Sequence, residues 1–401
     1  MSTFPQPPVS TLDWTSQKNF KFREANGHIE STYQRATRQW TPLKFVSDPF
    51  LRIHGLASGL NYGQHAFEGL KAFRMPGKAG GIALFRPQSN GRRLQHSAEV
   101  LSMPLVPVEM FVQACRAAVA LNAGFVPPHE TGWGLYCRPL LFGSGPTIVP
   151  NESDEWTFCV YVAPMPFGAQ DGAPPVKALI LDNFDRAAPQ GTGHAKAGGN
   201  YAGVLRWSAL AKSEGFGITL HLDSLRHEEI DEFSASGFLA VKKHSTDMDR
   251  AGHDADAEGG DFDVTIVVPD SRTVLESLTS DSVQQIARSF GWSVEKRPVP
   301  YAELPAFSEV FSAGTGTGLV PIRSITRRQG TAGRLPLPPS PRLVVGPDGS
   351  ETIVYIQDEQ QTGCGPVYQK LLSQLGNIQL GRVKDEFGWR CEVRAEDAQL
   401  G

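Results

Sequence analysis

A single lysine lies in a glycine-rich stretch of the chain, GTGHAKAGGNYAGVL, which runs from Gly191 to Leu205. Five of these fifteen residues are glycines, whose backbone freedom lets the chain approach a bulky ligand closely around Lys196. An amine that is partly removed from water is easier to deprotonate, and its neutral form can attack a carbonyl carbon. Most lone lysines are solvated surface charges, but these neighbours favour a reactive amine.

The composition is that of a globular protein that binds small molecules. The chain has 401 residues, of which 40% are apolar and 20% charged, and this length predicts two domains. The formal net charge of −4 lacks the basic surplus needed to bind a phosphate backbone, so we expect no nucleic acid partner. The five cysteines lie far apart without metal-ligand spacing, which predicts neither a metal site nor a disulfide framework.

Targeting and membrane signals are not expected in this chain. The first residues, MSTFPQPPVSTLDW, lack a cationic start followed by an apolar run. No apolar stretch approaches the roughly 20 residues of a membrane helix. We therefore expect no membrane association and a cytoplasmic location, with a mitochondrial address left open.

A segment rich in proline and glycine, residues 163–176, predicts a linker between two domains. Residues 1–162 mix helical and extended patterns and form the smaller amino-terminal domain, whereas residues 177–401 are richer in strand patterns. The polar, acidic residues 244–261 predict a long solvent-exposed hairpin connection. The proline-rich LPLPPSPRL near Leu335 predicts an extended surface segment.

Several segments resemble one enzyme family, the branched-chain aminotransferases, which are class IV (fold-type IV) pyridoxal-phosphate enzymes. The most specific matches are HAKAGGNYAGVL, with RAAP ahead of it, and LNYGQHAFEGLKAFR. The others, in the family's order, are LFRPQSNGRRL, LYCRPLLFG, EVFSAGTGTGLVPI and GRVKDEFGW. Together they span most of the chain from about residue 40 onward, so chance does not explain them.

The resemblance implies the fold class and the cofactor. It implies an α/β (α+β) fold with the two-domain fold-type IV architecture, like that of D-amino acid aminotransferase. The smaller domain would be N-terminal and α/β. The larger C-terminal domain would be a strand-rich pseudo-barrel that binds pyridoxal 5′-phosphate. A homodimer is implied as well.

Four side chains are assigned to the cofactor by the resemblance. Lys196 forms the Schiff base with the cofactor aldehyde and later carries a proton between the substrate α-carbon and the cofactor. Glu232 keeps the ring nitrogen protonated, Tyr201 lies by the phenolate oxygen, and Arg93 binds the phosphate with its planar fork. On residue type alone, Glu232 could equally be an acidic strand end and Tyr201 a core aromatic.

The remaining contacts follow from the same resemblance. Backbone N–H groups of Leu278 and Thr279, at a polar-capped helix start, and Thr315 would complete the phosphate site. The implied substrate residues are an apolar wall with polar groups at its rim: Tyr62, Phe67, Tyr136, Arg138, Gly316 and Thr317. Arg138 would hold the distal carboxylate of glutamate, although an arginine before a proline in a strand could equally be a plain ion-pair residue.

The chain departs from the family pattern next to these positions. Where the family has threonine and asparagine after the ring-nitrogen glutamate, this chain has Ala235 and Gly237. Where the family reads PGVTR, this chain reads ESLTS, so that Glu276, Ser277 and Ser280 replace a proline, a glycine and an arginine. An acid near a phosphate is unfavourable unless it points away. These changes indicate a divergent member with a shifted amino acid preference.

Together these observations predict a transaminase of the branched-chain type. It would move the amino group of branched-chain or related apolar L-amino acids to 2-oxoglutarate by a ping-pong mechanism, with amino acids and 2-oxo acids as its partners. Two alternatives stay open: another fold-type IV activity (D-amino acid or amine transamination, or aminodeoxychorismate lyase chemistry) and an inactive pyridoxal-phosphate-binding regulatory protein. The joint retention of Lys196, Glu232, Tyr201 and Arg93 argues against the inactive protein.

Overall fold

The computed structural model describes residues 4–15, 24–77, 80–165, 173–243, 264–328, 337–357 and 364–400. The chain divides into two compact units. Unit 1 comprises Met1–Asp171, Ala195–Asn200 and Leu375–Gly401, and unit 2 comprises Gly172–His194 and Tyr201–Gln374. The predicted hairpin at 244–261 and parts of the predicted linker and of the proline-rich segment lie outside the described residues.

The strands of both units are as follows: β1 His28–Gln34, β2 Gln39–Trp40, β3 Lys44–Val46, β4 His65–Phe67, β5 Leu70–Arg74, β6 Ile82–Phe85, β7 Gly134–Gly143, β8 Glu155–Met165, β9 Val176–Ile180, β10 Ile218–Leu222, β11 Ile230–Phe233, β12 Gly237–Lys243, β13 Val264–Pro269, β14 Ser293–Arg297, β15 Glu309–Gly314, β16 Gly318–Arg327, β17 Leu343–Val345, β18 Glu351–Val354 and β19 Arg390–Val393. The helices are α1 Ser58–Asn61, α2 Pro87–Val100, α3 Val108–Leu121, α4 Gly199–Ala202, α5 Leu205–Ser213, α6 Leu278–Ser289 and α7 Pro366–Gln379.

Unit 1 is built on one antiparallel sheet. Among the described residues its order is β19-β6-β5-β7-β8-β1-β2, with β3 paired to β1 and β4 to β7. The long strands β7 and β8 alternate buried and less buried residues, as expected of a sheet with one face on a core. Helix α3 covers that face because Phe111, Ala114, Cys115 and Ala118 recur at helical spacing and are fully buried.

The last strand of the chain belongs to unit 1. In β19, Cys391 pairs with Leu84 of β6 in antiparallel register. Residues 375–401 are therefore grouped with unit 1, whereas the sequence prediction grouped residues 177–401 together. The physical reason is backbone pairing. Strand β6 pairs with β5 along one edge, and β19 provides the hydrogen-bond partners along its other edge.

Unit 2 is built on a mixed sheet. Its order in the described part of the chain is β11-β10-β9-β16-β15-β12-β13-β14, and β18 pairs with β16 and carries β17. Three of these pairs are parallel: β9 with β10, β9 with β16, and β13 with β14. The mixed helix and strand content and the strand-rich second unit confirm the predicted fold class.

The helices near the lysine segment differ in one respect from the sequence pattern. The run YAGVLRWSALAKSEG predicts one helix, but the structure has α4 and then α5, with Gly203 between them. Glycine loses more backbone entropy in a helix than other residues do, which favours a break there. Within the described ranges no single helix is long and apolar enough to cross a membrane; only the bent pair Val108–Leu121 and Ala123–Thr131 passes by length and composition.

Candidate active site

Lys196 lies on a segment whose backbone is fixed within unit 1. Its N–H donates to Ser97 Oγ at 2.9 Å, and its carbonyl accepts from the Phe67 N–H at 3.1 Å. The next residue, Ala197, bridges to Ala66 of β4 in antiparallel fashion. The Nζ atom lies 4.5 Å from the centroid of the Phe67 ring. The amine is thus presented from a fixed backbone over an apolar wall, as a nucleophile requires.

The close approach of this segment to β4 requires a glycine at position 198. A Cβ atom at position 198 would collide with the imidazole ring of His65, whereas a Cβ at Gly199 would meet nothing within 4 Å. Burial lowers the pKa of His65 below its ordinary value. Only Gly198 therefore allows the lysine segment to lie this close to β4.

A buried ion pair lies between β4 and α2. Glu68 is fully buried, and its two carboxylate oxygens accept from Arg93 Nε at 2.7 Å and Arg93 Nη2 at 2.8 Å. Asn90 Nδ2 at 2.7 Å and the Gly69 N–H at 3.0 Å donate to the same carboxylate. This two-pronged contact fixes the plane of the guanidinium group.

The charge of Glu68 is stabilised by its surroundings. Burial opposes ionisation, but the Arg93 guanidinium, and to a lesser degree the Lys196 ammonium, outweigh it and hold the pKa of Glu68 below its ordinary value. Sequence reasoning selected Arg93 and missed Glu68. The available signal was an acid inside the otherwise apolar HAFEGLKAF, where an acid is unexpected unless it is paired.

Three of the predicted substrate residues lie together in unit 1. The guanidinium carbon of Arg138 lies 5.0 Å from the Phe67 ring centroid and 5.1 Å from that of Tyr136. Arg138 Nη2 also donates to the Tyr136 hydroxyl at 3.1 Å. Because Lys196 Nζ lies over the same Phe67 ring, one aromatic side chain contacts both cations. Tyr62 contacts another partner, as its hydroxyl donates to the carbonyl of Ile148.

Glu232 in unit 2 is held by a second buried ion pair. It is 3% exposed, and its Oε1 lies 2.9 Å from Arg186 Nη1 and accepts from the Leu275 N–H at 2.8 Å. Arg186 also donates to the carbonyls of Thr273 at 3.3 Å and Gly193 at 3.2 Å. The carboxylate is therefore fixed in place and its charge is offset. The segment RAAP resembles the family in sequence, but the resemblance assigned no role to Arg186.

The polar-capped helix start predicted at Leu278 is present in unit 2. Helix α6 begins at Leu278, with Thr279 in its first turn, and Ser277 caps it by accepting from the Ser280 N–H at 3.2 Å. Ser277 Oγ in turn donates to the Ala313 carbonyl at 3.0 Å, which fixes the cap to β15. The first backbone N–H groups of a helix this long attract anions. Gly291, with φ of +80°, follows the end of the helix as expected.

The other unit 2 positions lie in loops or at a helix end. The three-residue connection between β15 and β16 consists of Thr315, Gly316 and Thr317. On either side of it, Gly314 of β15 pairs with Gly318 of β16. Tyr201 is a partly buried residue of the short helix α4. Unit 1 thus brings Lys196, Phe67, Tyr136 and Arg138 together and also holds Tyr62 and Arg93. Unit 2 holds the remaining predicted residues, which are Tyr201, Glu232, Leu278, Thr279, Thr315, Gly316 and Thr317.

The sequence of the chain is similar to those of known aminotransferases. The family model described as amino-transferase class IV matches residues 65–325. The chain is 46% identical over 395 residues to the aminotransferase poxL of Penicillium oxalicum, covering 98% of this chain and 96% of poxL. It is 42% identical over 390 residues to the branched-chain amino acid aminotransferase gloG of Glarea lozoyensis, covering 96% of this chain and 97% of gloG.

The fold is similar to that of a solved bacterial enzyme. The structure of the branched-chain amino acid aminotransferase of Escherichia coli aligns with a TM-score of 0.67 at 21% sequence identity, over 92% of this chain and 100% of that one. At this identity the likeness concerns the fold alone, and it confirms the predicted fold-type IV architecture.

Proposed function

The chain belongs to the class IV aminotransferase family, and from that premise we propose that it moves the amino group of branched-chain or related apolar L-amino acids to 2-oxoglutarate, with pyridoxal 5′-phosphate as cofactor. The observation that carries the proposal is the setting of Lys196. Its backbone is pinned at both N–H and carbonyl, and its amine lies 4.5 Å from the centroid of the Phe67 ring. The similarity to gloG, a branched-chain amino acid aminotransferase, supports the branched-chain part of the proposal.

The donor set of the chain fits this cofactor. In unit 1, Lys196 would hold the aldehyde carbon, and Arg93, oriented by Glu68, would bind the phosphate. In unit 2, the first backbone N–H groups of α6 are donors suited to an anion. Glu232 would hold the ring nitrogen as a buried carboxylate. When bound, the cofactor supplies an aldehyde and an electron-withdrawing ring that takes up electrons from the substrate α-carbon.

Lys196 is the proton carrier of the proposed reaction. Once the substrate amine has taken its place, its Nζ would be a neutral amine that accepts the α-proton and returns it to a neighbouring carbon. The Phe67 ring keeps water from one side of the amine and stabilises its protonated form by a cation–π contact. Both effects favour a proton transfer that is not lost to solvent.

The aromatic pair with Arg138 supports the dual substrate choice. Phe67 and Tyr136 offer apolar surface to an aliphatic side chain, and the exposed guanidinium of Arg138 offers two parallel donors to the distal carboxylate of glutamate. An aliphatic substrate uses only the aromatic surface. Arg138 is therefore expected to act in the glutamate half-reaction alone.

A homodimer forms part of the proposal, supported by an exposed apolar patch on unit 1. Leu60, Ile148 and Val149 are each at least 60% exposed, and the Tyr62 hydroxyl connects the end of α1 with the segment at 148–149 by donating to the carbonyl of Ile148. Patches of this kind mark protein interfaces. Sedimentation of Ile148→Asp should give a monomer. Val345→Asp is the control, because Val345 is an exposed residue of unit 2, and it should leave the dimer intact.

Half-reactions with single amino acids test the activity. Purified holoenzyme is mixed with one amino acid at a time, and the absorption of the cofactor is followed as it changes to the amine form. Fast conversion by L-leucine or L-isoleucine and by L-glutamate is expected. Conversion only by D-amino acids or amines would identify another fold-type IV activity, and no conversion by any of them would identify a binding protein without activity.

A further inference from the structure

Arg186 holds three segments of unit 2 together. Its Nη1 lies 2.9 Å from Glu232 Oε1 in β11 and donates to the Thr273 carbonyl at 3.3 Å. Its Nη2 donates to the Gly193 carbonyl at 3.2 Å. The Arg186 and Glu232 side chains are only 5% and 4% exposed. The guanidinium group is therefore fixed by acceptors that lie far apart in the sequence, and it is shielded from water.

The backbone around Arg186 is closely packed. A Cβ atom at position 193 would collide with the Cβ of Ala187 and with the carbonyl oxygen of Thr273, so this position requires a glycine. The Leu275 N–H donates to the same Glu232 oxygen that Arg186 contacts, at 2.8 Å. Neighbouring backbone thus positions both charged groups, and their contact is part of the fold of unit 2.

Two other ionisable side chains lie near this ion pair. His221 of β10 is buried, and burial, with a smaller contribution from the Arg186 charge, lowers its pKa to about 3, so its imidazole is neutral near neutral pH. Asp231 is also buried, and its Oδ2 accepts from Thr273 Oγ1 at 2.7 Å. Burial raises the pKa of Asp231, although the Thr273 hydroxyl opposes this shift. Arg186 thus supplies the positive charge beside Glu232.

A carboxyl group and a protonatable ring nitrogen in contact share one proton. If the proton is on the nitrogen, the contact joins two opposite charges. If it is on the carboxyl oxygen, the contact joins two neutral groups. Burial favours the neutral arrangement, because it disfavours charged groups. A cation fixed against the carboxylate reverses this preference, since it stabilises the negative charge.

Arg186 is placed to act in this way, since it contacts Glu232 directly and both side chains are buried. We propose that Arg186 is a positioning residue that keeps the shared proton on the ring nitrogen of the cofactor and off Glu232. The inference rests on the proposed function, in which Glu232 holds that nitrogen. The two arrangements differ only in whether this one proton is bonded to nitrogen or to oxygen. A protonated ring takes up electrons from the substrate α-carbon more readily, so Arg186 acts through Glu232 and the ring.

The test reads the ring nitrogen directly. Holoenzyme is prepared with cofactor that is isotopically labelled at this nitrogen, whose nuclear magnetic resonance distinguishes a protonated ring from an unprotonated one. Near neutral pH the parent should show the protonated position, and Arg186→Met should shift the resonance towards the unprotonated one. The matched control is Arg226→Met. Arg226 pairs with Glu229 of the same unit at 3.3 Å but is 57% exposed, so this variant should match the parent.

Arg186→Lys decides the question if Arg186→Met does not fold. A lysine ammonium loses its proton at high pH, near about 10.4 when unperturbed, whereas an arginine stays protonated. Near neutral pH the ring resonance of Arg186→Lys should therefore match that of the parent. As the pH rises, it should move to the unprotonated position at a lower pH than in the parent.

The half-reactions provide a second readout. Arg186→Met should slow conversion by L-leucine and by L-glutamate alike, at least tenfold, because the ring takes up electrons from the α-carbon in both. The slowing should appear in the rate at saturating amino acid rather than in the concentration needed for saturation, since Arg186 does not act on the substrate side chain. An effect on L-glutamate alone would count against the inference.

The resonance also gives the results that would overturn the inference. These are an unprotonated ring in the parent, a protonated ring in Arg186→Met, and identical pH curves for Arg186→Lys and the parent. The proposed function is judged separately, from the half-reactions of the parent. A parent that converts no amino acid refutes the proposed function, whereas an active parent whose ring stays protonated in Arg186→Met refutes this inference alone.

Discussion

Replacing Glu68 by glutamine should destabilise the protein by about 3–5 kcal/mol, the usual cost of removing one partner of a buried ion pair. Four donor contacts converge on this carboxylate, two from Arg93, one from Asn90 and one from Gly69. Glutamine has one oxygen and one NH2 group, so at least one donor then faces another donor. Arg93 would keep its charge at 9% exposure with its main partner gone.

The matched control is Glu152→Gln. Glu152 pairs with Arg35 at 2.8 Å, close to the 2.7 Å of the Glu68–Arg93 pair, but its partner is half exposed and Glu152 itself is 58% exposed. Exposed pairs contribute about 0–1 kcal/mol because water screens them and the side chains lose entropy. Urea unfolding of the two variants and the parent, without added cofactor, gives both differences. A Glu68→Gln loss no larger than that of Glu152→Gln would refute the argument from burial.

Four further outcomes are expected. The pKa of Glu68 is depressed in the folded chain, so its contribution to the free energy of unfolding is complete above the ordinary glutamate range near about pH 4–5. This contribution is lost as the pH falls through the pKa of the folded state. The difference in stability between the parent and Glu68→Gln should therefore shrink in acid unfolding curves. Lys196→Ala should abolish transamination and the borohydride labelling of the lysine peptide; labelling elsewhere in the parent protein would contradict the assignment. Arg138→Met should slow the glutamate half-reaction roughly tenfold or more, since charged hydrogen bonds contribute about 1.5–3 kcal/mol, and should change the leucine half-reaction little; equal slowing of both would count against the proposed role. Gly198→Ala should lower the free energy of unfolding by about 1–3 kcal/mol because the added Cβ crowds His65. Gly199→Ala, whose Cβ meets nothing within 4 Å, should lower it less in the same urea unfolding measurements.

Local sequence patterns predicted most elements near the site. The apolar spacing of VEMFVQACRAAVALNAG predicts a helix ended by Gly124, and α3 covers this run but ends at Leu121. SDSVQQIARSFG, with Gly291 at its end, matches most of α6. These succeed because helix periodicity, capping and left-handed glycines depend on residues within a few positions of each other. The single helix expected from Tyr201 onward was wrong, since the pattern did not weigh Gly203 as a break.

Pairing between distant segments was visible only in the tertiary structure. Two ion pairs, Glu68 with Arg93 and Arg186 with Glu232, join residues that do not lie on the same helix or strand. No periodicity of the sequence therefore predicts either pair. The same holds for β19, which joins the sheet of unit 1 by pairing with β6. The departures at Gly237, Ser277 and Ser280 were readable as sequence, but only the tertiary structure shows that these three residues pack against one another.

The sequence by itself determined the family resemblance and predicted the reactive lysine with its glycines, because these depend on residue type and short spacing. The tertiary structure decided which acid orients Arg93 and which cation accompanies Glu232. The physical reason is that buried charge must find a partner wherever the fold brings one within hydrogen-bond distance, and that partner is chosen by three-dimensional packing rather than by neighbours along the chain.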